Sequence, residues 1–160
     1  MEFDIDVSGT DIFSKDYTLC IASKDGKIIQ GFKMNPEIIN KLRSKYNQEL
    51  YKYKKSSKGN INFKIRIYSI IIYIILKELK LKQILLNICK DFFGKEKQIK
   101  DNLYYLLKEI LEIEIQNISF GKLNNSYADK YAYLMRKDNK NKMQTYTHIK
   151  LEEIEVFLNK

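Results

Sequence analysis

The chain has 160 residues, 44% hydrophobic and 31% charged, and its 29 Lys and Arg against 20 Asp and Glu give a net charge of +9. That length suits one domain able to bury a core without disulfides or a structural metal, and the composition excludes a disordered chain. The positive balance favours an anionic partner, nucleic acid above all, although the richness in Ile, Lys, Asn and Tyr also fits AT-rich coding and weakens the inference from lysine alone.

Phe3, Ile5 and Val7 alternate with Glu2, Asp4 and Asp6, which predicts a first strand ending near Gly9. Two further strands, over 17–22 and 27–34, flank Lys24-Asp25-Gly26, whose Asp-Gly pair signals a hairpin. Asn35 before Pro36 reads as an N-cap with proline at the first helical position, and Ile38, Leu42, Tyr46, Leu50 and Tyr53 extend a helix over 36–54. The stretch 54–60 lacks periodicity and carries breakers, so it reads as a basic loop. Residues 63–79 combine strand-favouring Ile and Tyr with helical length, and are read as a largely buried helix.

Ile84 to Cys89 is a short continuous apolar run, the pattern of a parallel strand covered on both faces, with Asp91 just beyond its carboxyl end. Ile99, Leu103, Leu106, Leu107 and Ile110 mark an amphipathic helix, and Leu111, Ile113 and Ile115 alternate with Glu112 and Glu114 as another strand. Asn124 or Asn125 is expected to cap the next helix, with Tyr127, Ala128, Tyr131, Leu134 and Met135 as its apolar face. A terminal helix is expected over about 149–159.

The two cysteines, Cys20 and Cys89, lie in apolar runs and read as free buried thiols of a reducing compartment. The longest near-apolar run, 67–76, is short of a bilayer span, and the acidic N-terminus lacks a signal region. A cytoplasmic protein with no membrane partner is expected. Phosphate-binding glycine loops, zinc-ligand spacings and serine-hydrolase elbows do not occur, which removes those chemistries.

The element order, a three-stranded meander followed by helix, strand, helix, strand and helix, predicts an α/β fold with a mixed five-stranded sheet flanked by helices. Asp6-Val7-Ser8-Gly9 at the end of the first strand resembles the Asp-x-Ser-Gly start of the ribonuclease H-like superfamily, and Asn124 through Ala132, with its Ala128-Asp129 pair, resembles the start of that superfamily's last core helix. Asp91, followed by Phe92-Phe93-Gly94, falls at the place of the middle ligand. The resemblance spans about residues 1–138 and makes 36–54 an extra helix.

It implies a carboxylate cluster of Asp6, Asp91 and Asp129, with Asp4 in reserve, holding Mg2+ or Mn2+ for hydrolysis of phosphodiester bonds in RNA, RNA/DNA hybrid or branched DNA. Three close carboxylates repel unless protonated or bridged by hard cations, which is the physical reason for that metal. Asp11, Asp16 and Glu96 are candidates for a fourth ligand. Lys52, Lys54, Lys55 and Lys58, in a basic and tyrosine-bearing stretch, are the candidate nucleic-acid contacts. One departure stands out: residues 63–67 carry Lys64 and Arg66 where catalytic ribonucleases H have a Glu. That moves the expectation toward a resolvase-like or uncharacterised relative, and leaves open an inactive nucleic-acid-binding or protein-interaction module.

Overall fold

A computed structural model describes residues 1–90, 92 and 94–160. Its elements are β1 (Glu2–Ser8), β2 (Thr18–Ser23), β3 (Ile29–Lys33), α1 (Pro36–Asn47), α2 (Ser57–Leu79), β4 (Gln83–Cys89), α3 (Glu96–Leu103), which continues as a π-helical run Tyr104–Ile110, then β5 (Glu114–Gly121), α4 (Tyr127–Lys137) and α5 (Leu151–Glu155). The five strands form one mixed sheet in the order β3-β2-β1-β4-β5. β1 pairs antiparallel with β2 and parallel with β4, β2 pairs antiparallel with β3, and β4 pairs parallel with β5. The architecture is α/β with helices on both faces of the sheet.

Strand alternation sorts side chains onto two unlike faces. Phe3 and Ile5 of β1, Leu19 and Ile21 of β2, Ile84, Leu86 and Ile88 of β4 and Ile118 of β5 are all buried in one apolar cluster with most of α2. Each such side chain contributes about 1.5–3 kcal/mol by leaving water. α2 is 23 residues long and, by length and composition alone, apolar enough to cross a membrane, but 72% of its most apolar stretch is buried inside the protein. It is the core helix. On the opposite face α4 lies across β1, β2 and β3, and Ala132 and Met135 pack on Cys20.

Several boundaries differ from the sequence expectation. α1 stops at Asn47 rather than 54, because Glu49 turns left-handed with φ 58° and Tyr51 leaves to pair with Asn159. Of the expected loop 54–60 only 54–56 lie outside a helix, and 57–60 are instead the first turn of α2: Ser56 caps it by accepting the Gly59 N–H at 2.9 Å. Gly59 is required there, since a Cβ would sit 1.9 Å from the Lys54 carbonyl oxygen. The alternation at 111–115 belongs mostly to the end of the π-helical run and a left-handed Glu112, so β5 begins at Glu114 and reaches Gly121. α4 is capped by Ser126, not by Asn124 or Asn125, and it buries Ala128, Ala132 and Met135 while Tyr127 and Leu134 stay exposed. The terminal helix is only Leu151–Glu155, because the chain before it runs along the edge of β3, where Gly31 exchanges backbone hydrogen bonds with Thr145 and Thr147.

Candidate functional site

Asp6 lies one pleat from the end of β1, directly across from Cys20 and so on the α4 face of the sheet. Its carboxylate accepts the Val7 N–H at 2.8 Å and the Cys89 thiol, and it meets the carboxyl group of Asp129 in a hydrogen bond. Burial pushes the Asp6 carboxyl up to about 6; the Val7 N–H and the Cys89 thiol oppose that, while the charge of Asp129 and the hydrogen bond shared with it add to it. Two carboxyls in contact hold a proton between them, or a cation, because full ionisation of both leaves their repulsion uncompensated.

Asp129 comes to this place through the start of α4. The Ser126 hydroxyl accepts the Asp129 N–H at 3.0 Å, and the Asp129 carboxylate accepts the Asn125 N–H at 3.2 Å across a left-handed Asn125. These contacts fix the first helical turn, where the macrodipole favours an acidic side chain. At the other end of α4 the Arg136 guanidinium donates to the Ser8 hydroxyl at 2.8 Å. Both ends of α4 are thereby tied to the carboxyl end of β1, which carries Asp6.

Asp4, the reserve ligand, is buried and already engaged: Lys24 lies 2.9 Å from its carboxylate and the Asn87 amide donates to it at 3.0 Å. Asn87 also donates to Glu2 and accepts from the Ser119 hydroxyl at 2.8 Å, so a polar row crosses β1, β4 and β5 below Asp6. Asp91 lies outside the described residues. Among the described residues no three His, Cys, Asp or Glu side chains gather as a metal group, so Asp11, Asp16 and Glu96 do not complete a site around Asp6 and Asp129. Asp11 is turned to the Lys64 ammonium at 2.8 Å. The two carboxylates supply two hard oxygen donors, which suits Mg2+ or Mn2+ as part of a ligand set. The neighbouring thiol of Cys89 is a soft donor that such ions do not favour.

Neither cysteine is in a disulfide. Burial, with the charge of Asp6 beside it, pushes the Cys20 thiol up to about 12, so it is an inert packing group. Sequence reasoning missed the place of Cys89 beside Asp6, and with it the Asn87–Ser119 row; their common signal is that Asn87 and Cys89, two apart on β4, share a face with the odd-numbered residues of β5.

Lys52, Lys54, Lys55 and Lys58 are all exposed. Lys55 lines a surface groove with Arg43 and Lys64 at the start of α2. That groove adjoins the loop after β1, because Phe13 of the loop packs on Phe63 with ring centroids 5.8 Å apart. His148 lies elsewhere, in a groove beside β3.

Compared with known proteins, the chain matches no family model, no curated protein and no solved structure.

Proposed function

We propose that this protein is a ribonuclease H-like, divalent-metal-dependent nuclease that hydrolyses phosphodiester bonds in RNA, RNA/DNA hybrid or branched DNA in the cytoplasm. The observation that carries the reading is the meeting of Asp6, from the end of the first strand, with Asp129, from the first turn of the last sheet-packed helix. A mixed five-stranded sheet, antiparallel on one side of β1 and parallel on the other, supports this reading because the resemblance implies a three-stranded meander joined to parallel strands.

Asp6 and Asp129, with Asp91 as the third candidate, would hold the cation. Bound there, Mg2+ or Mn2+ supplies Lewis acidity at a phosphodiester and an activated water. The chain's own contribution is positional. The Val7 N–H and the Cys89 thiol orient the Asp6 carboxylate, the Ser126 cap orients Asp129, and Arg43, Lys55 and Lys64 with the exposed Lys52, Lys54 and Lys58 offer positive charge to a phosphate backbone.

The test is cleavage of labelled RNA, hybrid and four-way-junction DNA with magnesium or manganese. Activity is expected, abolished by Asp6→Asn, Asp129→Asn or Asp91→Asn with the circular dichroism spectrum unchanged. Absence of cleavage of every substrate, together with absence of metal binding by calorimetry, would overturn the reading. A second reading, an inactive nucleic-acid-binding or protein-interaction module, is favoured by Lys64 and Arg66 standing where catalytic relatives carry an acid. It predicts salt-dependent binding that is indifferent to the three Asp replacements.

A further inference from the structure

The outer cleft between α2 and α3 contains two enclosed polar atoms of opposite kind that have no hydrogen-bond partner among the described residues: Nη1 of Arg66, a donor, and Oε1 of Gln98, an acceptor. Both residues line the same cleft of about 240 Å³, together with Tyr53, Asn62, Asp101 and Asn102. Buried groups of this kind are ordinarily satisfied, and an enclosed guanidinium edge left without an acceptor is more costly than a neutral one.

Charge points the same way. Arg66 is held by donating from Nε to the Tyr53 hydroxyl at 3.1 Å and by stacking its guanidinium 5.5 Å from the Tyr105 ring centre. Neither contact neutralises it. Lys52 is a second cation close enough that burial first, and then the charge of Arg66, lower its ammonium from the usual lysine range. Among the described residues no carboxylate forms an ion pair with Arg66 or Lys52, and the single acid lining the cleft, Asp101, is drawn toward Lys97 at 3.4 Å. An oriented guanidinium donor and an amide acceptor lining one cleft, with the exposed Lys52 ammonium near enough to feel the Arg66 charge, make a site for an oxyanion that also carries a hydroxyl.

We propose that this cleft binds a phosphate-class oxyanion, one oxygen accepting from Arg66 Nη1 and a hydroxyl donating to Gln98 Oε1. The chemistry is met by hydrogen phosphate, by a terminal phosphomonoester, or by an RNA phosphate with its neighbouring 2′-hydroxyl. The assignment is independent of Asp6 and Asp129 and stands or falls without catalysis.

The experiment is thermal unfolding in EDTA, where no metal-dependent cleavage occurs, with inorganic phosphate against sodium chloride at matched ionic strength. At roughly ten times its dissociation constant, phosphate is expected to raise the melting temperature about 3 °C more than chloride does. Arg66→Met, which keeps the apolar stem, should remove that difference, and so should Gln98→Glu, which keeps the volume but sets a negative charge in the cleft. Lys140→Met, an equal charge change at an exposed loop residue, should retain it. A phosphate response no larger than that of chloride, or one unchanged in both cleft variants, or one lost equally in Lys140→Met, would overturn the proposal. Competition by a single-stranded RNA then identifies the source: displacement of phosphate assigns the site to an RNA phosphate, and its absence assigns it to a free phosphate or phosphomonoester, the oxyanion assignment holding in either case.

Discussion

The two faces of the sheet are built for different purposes. Beneath α2 the inward residues of β1, β2 and β4 are apolar apart from Ser23 at the end of β2, and the aromatic rings of Phe13, Tyr46, Tyr51 and Tyr53 converge on Phe63, with Tyr46 stacked on it at 4.7 Å. Beneath α4 the same strands present Asp4, Asp6, Cys20, Asn87 and Cys89, and the residues of β4 and β5 on that side are only half-buried or exposed. A face that buries apolar groups and only an occasional serine stabilises the fold with no titratable cost. The other face accepts a strained pair of carboxyls, a departure from local consistency that natural proteins concentrate where they do chemistry.

The largest effect should come from the dry face. Phe63→Ala is expected to destabilise the protein by about 3–5 kcal/mol, measured by urea unfolding, because it empties the centre of the ring cluster. A loss under 1 kcal/mol would mean that the cluster is not a packed unit. On the α4 face, Gly31→Ala should cost about 1–3 kcal/mol, since the new Cβ would lie 2.6 Å from the Met135 methyl and 2.8 Å from the Leu19 carbonyl oxygen. Ser126→Ala should cost about 1 kcal/mol through the lost cap, and if the proposed nuclease activity is present it should fall as well, because the cap orients Asp129.

The most informative change in stability belongs to Asp6→Asn. In the native protein the Asp6 carboxyl is raised to about 6 from an ordinary 3.8. Between those values the folded chain holds a proton that the unfolded chain has released, so native stability falls as pH rises from about 4 to 6 and then levels off. Asp6→Asn removes this dependence; relative to the wild type in EDTA it should gain stability across that window and stay level above it. The Glu155 carboxyl behaves oppositely: burial alone would raise it, but hydrogen bonds from Lys45 and Tyr51 hold it below its usual range, so its contribution is present at neutral pH and lost on acidification.

How much of this was legible depends on whether local or distant contacts decide each feature. The meander was legible, because period-two alternation and the Asp25-Gly26 turn are local signals, and so was the buried helical character of 63–79. The end of α1 was not, since it is set by Tyr51 pairing with Asn159, over a hundred residues away. The start of β5 was obscured because Leu111, Ile113 and Ile115 alternate with acids whether they close a helix or open a strand. At the site, periodicity could place Asp4 and Asp6 on one face but could not separate them. What separates them is distant in sequence: Lys24 and Asn87 for Asp4, Cys89 and Asp129 for Asp6. The Asp91 expectation falls on a residue outside the description.

The central claim, that Asp6 and Asp129 are paired oxygen donors for a hard divalent cation, is tested most directly by following the Asp6 side-chain carboxyl carbon by NMR through a pH titration, first in EDTA and then in excess magnesium. The pairing predicts a midpoint near 6 in EDTA that drops well into the acid range with magnesium, as the cation replaces the shared proton. A midpoint near 6 in both conditions would contradict metal binding at the pair, and an ordinary midpoint near 3.8 in EDTA would contradict the pairing itself.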